Sequence, residues 1–187
     1  MHNSRRGYSM NERLKERELK ILSQLMKNSR QSDREVAHKL KVSQPTVSRT
    51  RAKLEKQGYI KEYTMIPDFS KLGYKIMALT FGLSRTLSEE EAEGVTKNLL
   101  DHIKDERFGL VMLRRGLGLG FDGVIITYHK DYASHQRFLR WLRQTFPKDL
   151  LDVEKLASFL IDLDDKVTHL PFTLSLLADE LLQAQQK

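Results

Sequence analysis

Apolar positions recur at helical spacing through the first third of the chain and gather into short runs beyond it. Residues 11–28 carry Leu14, Leu19, Leu22, Leu25 and Met26 close to a 3.6-residue stripe, which predicts an amphipathic helix. Ser32-Asp-Arg-Glu35 is a capping box: the serine hydroxyl accepts an early backbone N–H, and the glutamate three residues on reaches back to the serine N–H. It opens a short helix with Val36, Ala37 and Leu40 inward. Val42-Ser-Gln-Pro45 starts a third helix, with Ser43 as N-cap and Pro45 in the first turn, where its missing N–H leaves no bond unmade. Val47 and Leu54 lie seven apart and face the core, and Gly58 ends the helix. Two short helices joined by about four residues form a helix-turn-helix. The run Tyr59–Ile66 reads as a strand or small wing, and Pro67–Gly73 as a linker.

The second part has a different order. Residues 75–83, 108–113, 123–128 and 156–161 read as strands. A capping box at Ser88–Glu91 opens a helix with Ala92, Val95, Leu99 and Ile103 on one face. Asp131 caps another that carries Phe138, Leu139, Leu142 and Phe146. The order βαββαβ is the ferredoxin-like split βαβ unit, an antiparallel sheet with helices on one face. The bare face calls for a cover, and a second copy supplies one, so a homodimer through the sheets is expected. Residues 171–186 add an amphipathic helix with Leu174, Leu177 and Leu181, expected at that interface or along the sheet. The fold class is therefore α+β: a winged helix-turn-helix domain over residues 11–66 (the motif itself at 32–53), a linker at 67–74, a βαββαβ domain at 75–164, and a C-terminal helix within 165–187.

Charge sharpens this division. Residues 1–62 hold 16 Lys/Arg against 7 Asp/Glu, a net +9, while residues 63–187 hold 16 against 18, a net −2. A basic third on a mildly acidic remainder suggests that one part meets a polyanion. At about 100° per residue, the side of the third helix opposite Val47 and Leu54 carries Pro45, Arg49, Ala52 and Lys56, flanked by Ser48 and Lys53. Small residues allow close approach to a major groove, Arg reads guanine edges and Lys meets phosphates. The expected DNA contacts are Ser43, Gln44, Pro45, Thr46, Ser48, Arg49, Arg51, Lys53 and Lys56. Arg51 lies about 40° from the core direction, so its role is to reach a phosphate rather than a base.

Other chemistries are poorly served. The chain lacks cysteine, which excludes disulfides and thiolate metal sites. His2, His38, His102, His129, His135 and His169 show no metal-binding spacing, and His129 and His135 are expected at the surface. No nucleophile motif is present, so neither catalytic residue, metal nor cofactor is expected. No apolar run approaches the roughly 18 residues of a membrane span, and Ser4–Gly7 is not followed by the apolar segment of a signal peptide. A cytoplasmic protein is expected. Gly116-Leu-Gly-Leu-Gly120 is followed by a strand, whereas a dinucleotide fingerprint needs a helix there, so it reads as a hairpin turn with glycines at positive φ.

The succession of Leu19-Lys-Ile-Leu22, Val36-Ala37, Val42-Ser43, Thr46-Val47, Leu54-Glu55, Gly58-Tyr-Ile-Lys61 and Leu72-Gly73, with Gly120-Phe121-Asp122 ending a glycine-containing hairpin, resembles the Lrp/AsnC family of transcription regulators over roughly residues 14–163. The resemblance implies a dimer on double-stranded DNA, often built into tetramers or octamers. It also implies a small effector, commonly an amino acid, near the hairpin turn, at Gly116, Gly118, Gly120, Phe121 and Asp122. Two departures stand out: Thr50 and Arg51 occupy positions where the family usually has Arg and an apolar residue, and the turn Arg114–Gly120 is longer and richer in Gly and Leu than is usual. Sirohaem decarboxylases resemble the same two-domain architecture, and in that alternative His129 or His135 would face a tetrapyrrole. The cationic helix argues against it. The net +9 on the first third argues against an assembly or signalling module that no longer binds DNA.

Overall fold

The computed structural model describes residues 14–83, 88, 90–91, 93–94, 97, 101, 108–146, 151–165 and 172–183. They form two compact units, one of residues 1–66 with 169–187, the other of residues 67–168.

In the first unit, α1 (Glu16–Lys27), α2 (Asp33–Leu40) and α3 (Gln44–Lys56) pack around Ile21, Leu25, Val36, Ala37, Val47 and Leu54. The Ser32 box forms as expected: Glu35 N donates to Ser32 Oγ at 3.2 Å, and Ser32 N to Glu35 Oε2 at 2.7 Å. Lys41 takes a left-handed conformation (φ 53°) at the end of α2 and lets the chain reverse into α3. The last helix, α5 (Ser175–Gln183), packs on α1 in this unit, with Ala178 fully buried and Lys27 paired with Asp179. The expectation that it joins the sheet is therefore corrected. Ala178 makes the buried contact, while Leu174 and Leu177 of the expected stripe stay 39% and 47% exposed.

The second unit holds β1 (Ile76–Gly82), β2 (Gly109–Gly118), β3 (Phe121–His129), α4 (Tyr132–Thr145), a 3-10 turn at Val153–Lys155 and β4 (Ala157–Asp162). The sheet order is β2-β3-β1-β4 and every pairing is antiparallel. Asp131 caps α4, accepting from Ser134 N at 2.6 Å. Phe138, Leu139 and Leu142 of α4, with Phe146, pack on Phe108, Leu110, Leu113 and Ile125. The Ser88–Glu91 box is made, Glu91 N donating to Ser88 Oγ at 3.2 Å. Ala92, Val95, Leu99 and Ile103, the expected inward face beyond it, lie outside the described residues, as do His2, His102 and His169.

Pairing runs in β1 decide the two faces of the sheet. Ala78, Thr80 and Thr127 are buried toward the α4 side. Met77, Leu79, Phe81, Val124, Ile126, Phe159 and Ile161 share the opposite face, and all seven keep some exposure in the single chain. Residues 67–74 are not a free linker: Phe69 stacks on Tyr128 with ring centroids 3.8 Å apart, and a short turn closes at Gly73 (φ 82°).

Two histidines correct the expectation of surface positions. His129 and His135 are only 3% and 2% exposed. His129 Nε2 shares a hydrogen bond with Thr127 Oγ1 (2.7 Å), and His135 Nε2 one with Ser158 Oγ (3.2 Å), which also meets Thr80 Oγ1 at 3.0 Å. The signal was legible: His129 continues the inward alternation of Ile125 and Thr127, and His135 precedes Phe138 by three on one helix face.

Candidate nucleic-acid interface

Helix α3 begins at a serine cap, with Thr46 N 3.4 Å from Ser43 Oγ and the two hydroxyls 2.7 Å apart. Val47 and Leu54 are fully buried, so the helix is rotationally locked. Ser43, Gln44, Pro45, Ser48, Arg49, Ala52, Lys53 and Lys56 are exposed and Thr46 is half-buried, which is the face that the periodicity assigned. Arg49 and Lys56 have no ion pair among the described residues and are free for an external anion.

Arg51 and Lys53 behave differently. Arg51 turns inward: Nε donates to Asp33 Oδ1 at 2.8 Å, Nη2 to the Gln31 carbonyl at 3.2 Å, and the Tyr63 ring centroid lies 5.7 Å from Cζ. Its guanidinium is thus engaged within the unit, unlike that of Arg49. An arginine near the core direction, where the resemblance places an apolar residue, meets carboxylate and carbonyl acceptors on α2 and the loop before it. Lys53 pairs with Glu18 of α1 at 2.7 Å, and the ammonium holds that carboxyl below its ordinary range. Sequence reasoning did not anticipate that either cation is committed within the unit, because their partners lie 18 and 35 residues away.

The expected wing is also different. Residues 60–66 form no strand, and Tyr63, Met65 and Ile66 are exposed. Tyr63 is nevertheless anchored, its hydroxyl donating to Glu55 Oε1 at 2.7 Å.

In the second unit, the glycine-rich segment lengthens β2 to Gly118 and leaves a two-residue turn, Leu119-Gly120, between the paired Gly118 and Phe121. Both turn residues have positive φ (54° and 79°), as a primed hairpin turn requires. Gly116 and Gly118 do not take positive φ, contrary to expectation, and the strained position falls on a leucine. Leu117 and Leu119 are 98% and 87% exposed. Phe121 packs near Phe81, with ring centroids 5.8 Å apart, and Asp122 is half-buried. Among the described residues, no group of His, Asp or Glu is arranged to hold a metal ion. No described helix is long and apolar enough to cross a membrane.

A capped helix-turn-helix with a cationic second helix, followed by a split βαβ sheet, defines a two-part protein of the helix-turn-helix regulator class. Residues 14–61 match the winged helix-turn-helix DNA-binding family model. One HTH-type transcriptional regulator of Pyrococcus abyssi is 36% identical over 92 residues, 49% of this chain and 60% of the relative. LrpC of Bacillus subtilis is 40% identical over 62 residues, 33% of this chain and 43% of the relative. The chain thus spans about half the length of these two. A second P. abyssi HTH-type regulator is 30% identical over 129 residues, covering 68% of this chain and 80% of the relative. Among solved structures, PH0061 superposes with a TM-score of 0.67 at 24% identity, over 88% of this chain and 99% of that one. A transcriptional regulator of Neisseria meningitidis, solved as an L-Met complex, superposes with a TM-score of 0.64 at 15% identity, over 88% and 99%. The chain belongs to the Lrp/AsnC family of transcriptional regulators. These relatives are regulators rather than enzymes, so the tetrapyrrole alternative is not favoured.

Proposed function

We propose that this chain is a sequence-specific DNA-binding transcription regulator of the cytoplasm that works as a dimer or larger assembly. The observation that carries the proposal is the outward face of α3, where Arg49 and Lys56 remain unpaired beside Gln44, Pro45 and Ser48. That face is narrow at its start and cationic along its length, which suits the major groove. Arg49 reads a base edge; Gln44 and Ser48 add hydrogen bonds to bases, and Lys56 meets a phosphate. Ser43 and Thr46 line the entry of the helix, where backbone N–H groups favour a phosphate. A two-fold dimer sets two such helices about 34–36 Å apart, or a multiple of that, on a dyad-symmetric operator. The apolar sheet face opposite α4 supplies the surface for that dimer.

An amino-acid-like effector at the β2–β3 turn, near Gly116, Gly118, Gly120, Phe121 and Asp122, is the finer part of the proposal. It draws support from the L-Met complex of a regulator with the same fold. Such a ligand acts by changing how dimers pack, and so how many half-sites are held together.

The experiment is a gel-shift titration on the DNA upstream of the protein's own gene, beside unrelated DNA of equal length, at two salt concentrations. Preferential binding that survives the higher salt is the expected result, because base contacts are less salt-dependent than phosphate contacts. Equal, salt-sensitive binding to both fragments would contradict sequence specificity.

A further inference from the structure

A cavity of about 410 Å³ lies between the start of β2, the end of β3 and the outer side of α4. It is far from the hairpin turn: eight residue steps along β3 separate His129 from Phe121, on the order of 25 Å at about 3.3 Å per residue. Its volume falls within the range of small-molecule sites. Phe108 and Trp141 form apolar walls, with their ring centroids 5.2 Å apart. Gly109 permits the close approach of the strands at its edge, since a Cβ there would lie 2.6 Å from the Tyr128 carbonyl oxygen.

The charge on the rim is one-sided. Lys130, Arg137 and Arg140 line the cavity and form no ion pair among the described residues. The rim carboxylate, Asp131, is turned to Ser134 N at 2.6 Å as the helix cap. Helix α4 holds Arg137, Arg140 and Arg143 and no acidic residue, although the second part of the chain is net negative. His129 also lines the cavity, nearly buried, with Nε2 engaged by Thr127. Unpaired cations are usually solvated surface; three of them around one aromatic-walled hollow are arranged to receive an anion.

We propose that this cavity binds a small organic anion, a carboxylate or phosphate carried on a flat apolar body. The anionic head meets Arg137, Arg140 and Lys130, and the flat body lies against Trp141 and Phe108. Two guanidiniums suit either head group through paired N–H donors. The site is distinct from the effector site proposed at the hairpin turn, and it does not depend on the DNA-binding reading of α3.

Trp141 is the single tryptophan of the chain, so its emission reports on this cavity. The full-length protein is titrated with phenyl phosphate, benzoate, inorganic phosphate and benzyl alcohol. A saturable emission change is expected with phenyl phosphate or benzoate, and the stronger of the two identifies the head group. Inorganic phosphate and benzyl alcohol, each lacking half of the ligand, bind at least about tenfold more weakly. An Arg137→Ser/Arg140→Ser double variant, altered only at exposed positions, loses the response to both anions while its thermal unfolding stays unchanged. Absence of a saturable change with either anion overturns the proposal. So does an unchanged response in the double variant, or a variant that loses DNA affinity alone, which would make the ridge a DNA contact.

Discussion

Arg49 and Arg51 are two residues apart, and their surroundings give them opposite roles. Arg49 is exposed and unpaired, so Arg49→Ala is expected to leave stability within about 0.5 kcal/mol of the parent. The same change weakens binding to a selected operator by about 1–3 kcal/mol and relaxes its specificity. Arg51 holds Asp33 and the Gln31 carbonyl with its side chain about four-fifths buried, so Arg51→Ala costs stability of about 1–3 kcal/mol by leaving those acceptors unpaired. Denaturant unfolding and operator titration on both variants separate reading from bracing; a stable Arg51→Ala would contradict the bracing role. His129 supplies a pH dependence. Burial and the neighbouring His135 push its imidazole from about 6.5 down to about 4, with Arg137 acting in the same direction and Asp131 against it. The unfolded chain therefore binds more protons than the folded one between those values, so stability is complete above pH 6.5 and falls as pH drops toward 4. The urea midpoint should decline from pH 7 to pH 5, and His129→Asn should flatten that decline.

At the scale of elements, capping was the most legible feature. The Ser32, Ser43 and Asp131 caps all sit where side-chain chemistry predicts, because a cap is decided within four residues. Strand ends were less legible. The run Gly116–Gly120 reads as turn by composition, yet β2 continues to Gly118 because β3 offers it a ladder. The opposite held at residues 60–66, where β-forming residues find no pairing strand among the described residues. The C-terminal helix makes the point most strongly. Its docking on α1 buries Ala178 completely, so Ala178→Leu should overpack the contact and cost about 1–3 kcal/mol in thermal unfolding. If α5 were dispensable to the first unit, the transition would not move.

At the scale of the whole molecule, the charge division and the bare sheet face work together. In the proposed function, the basic unit supplies affinity for a polyanion, and the apolar face of the other is the surface proposed to pair two such units. Phe159 is 63% exposed on that face, so replacing it leaves the fold of one chain intact. Phe159→Asp should shift the mass in solution from twice 21.8 kDa toward 21.8 kDa, measured by sedimentation. It should also weaken operator binding more than binding to a single half-site, because the link between half-sites is lost. A variant that remains dimeric would move the interface elsewhere.

The sequence by itself determined the three helices of the first unit, the four strands of the sheet and α4, their order, the helix caps and the outward face of α3, since each follows from spacing within a few turns or a single strand. It also carried the family resemblance, which rests on that order of motifs. Tertiary structure alone decided which cations stay free. Arg51 and Lys53 look like Arg49 and Lys56 along the chain, but only the first two meet a carboxylate when the helices pack. It decided as well that α5 returns to the first unit, and that Lys130, Arg137 and Arg140 surround one hollow with Trp141. Local periodicity encodes which side of an element is apolar. What that side meets depends on contacts between residues far apart in the chain, which no short window of sequence contains.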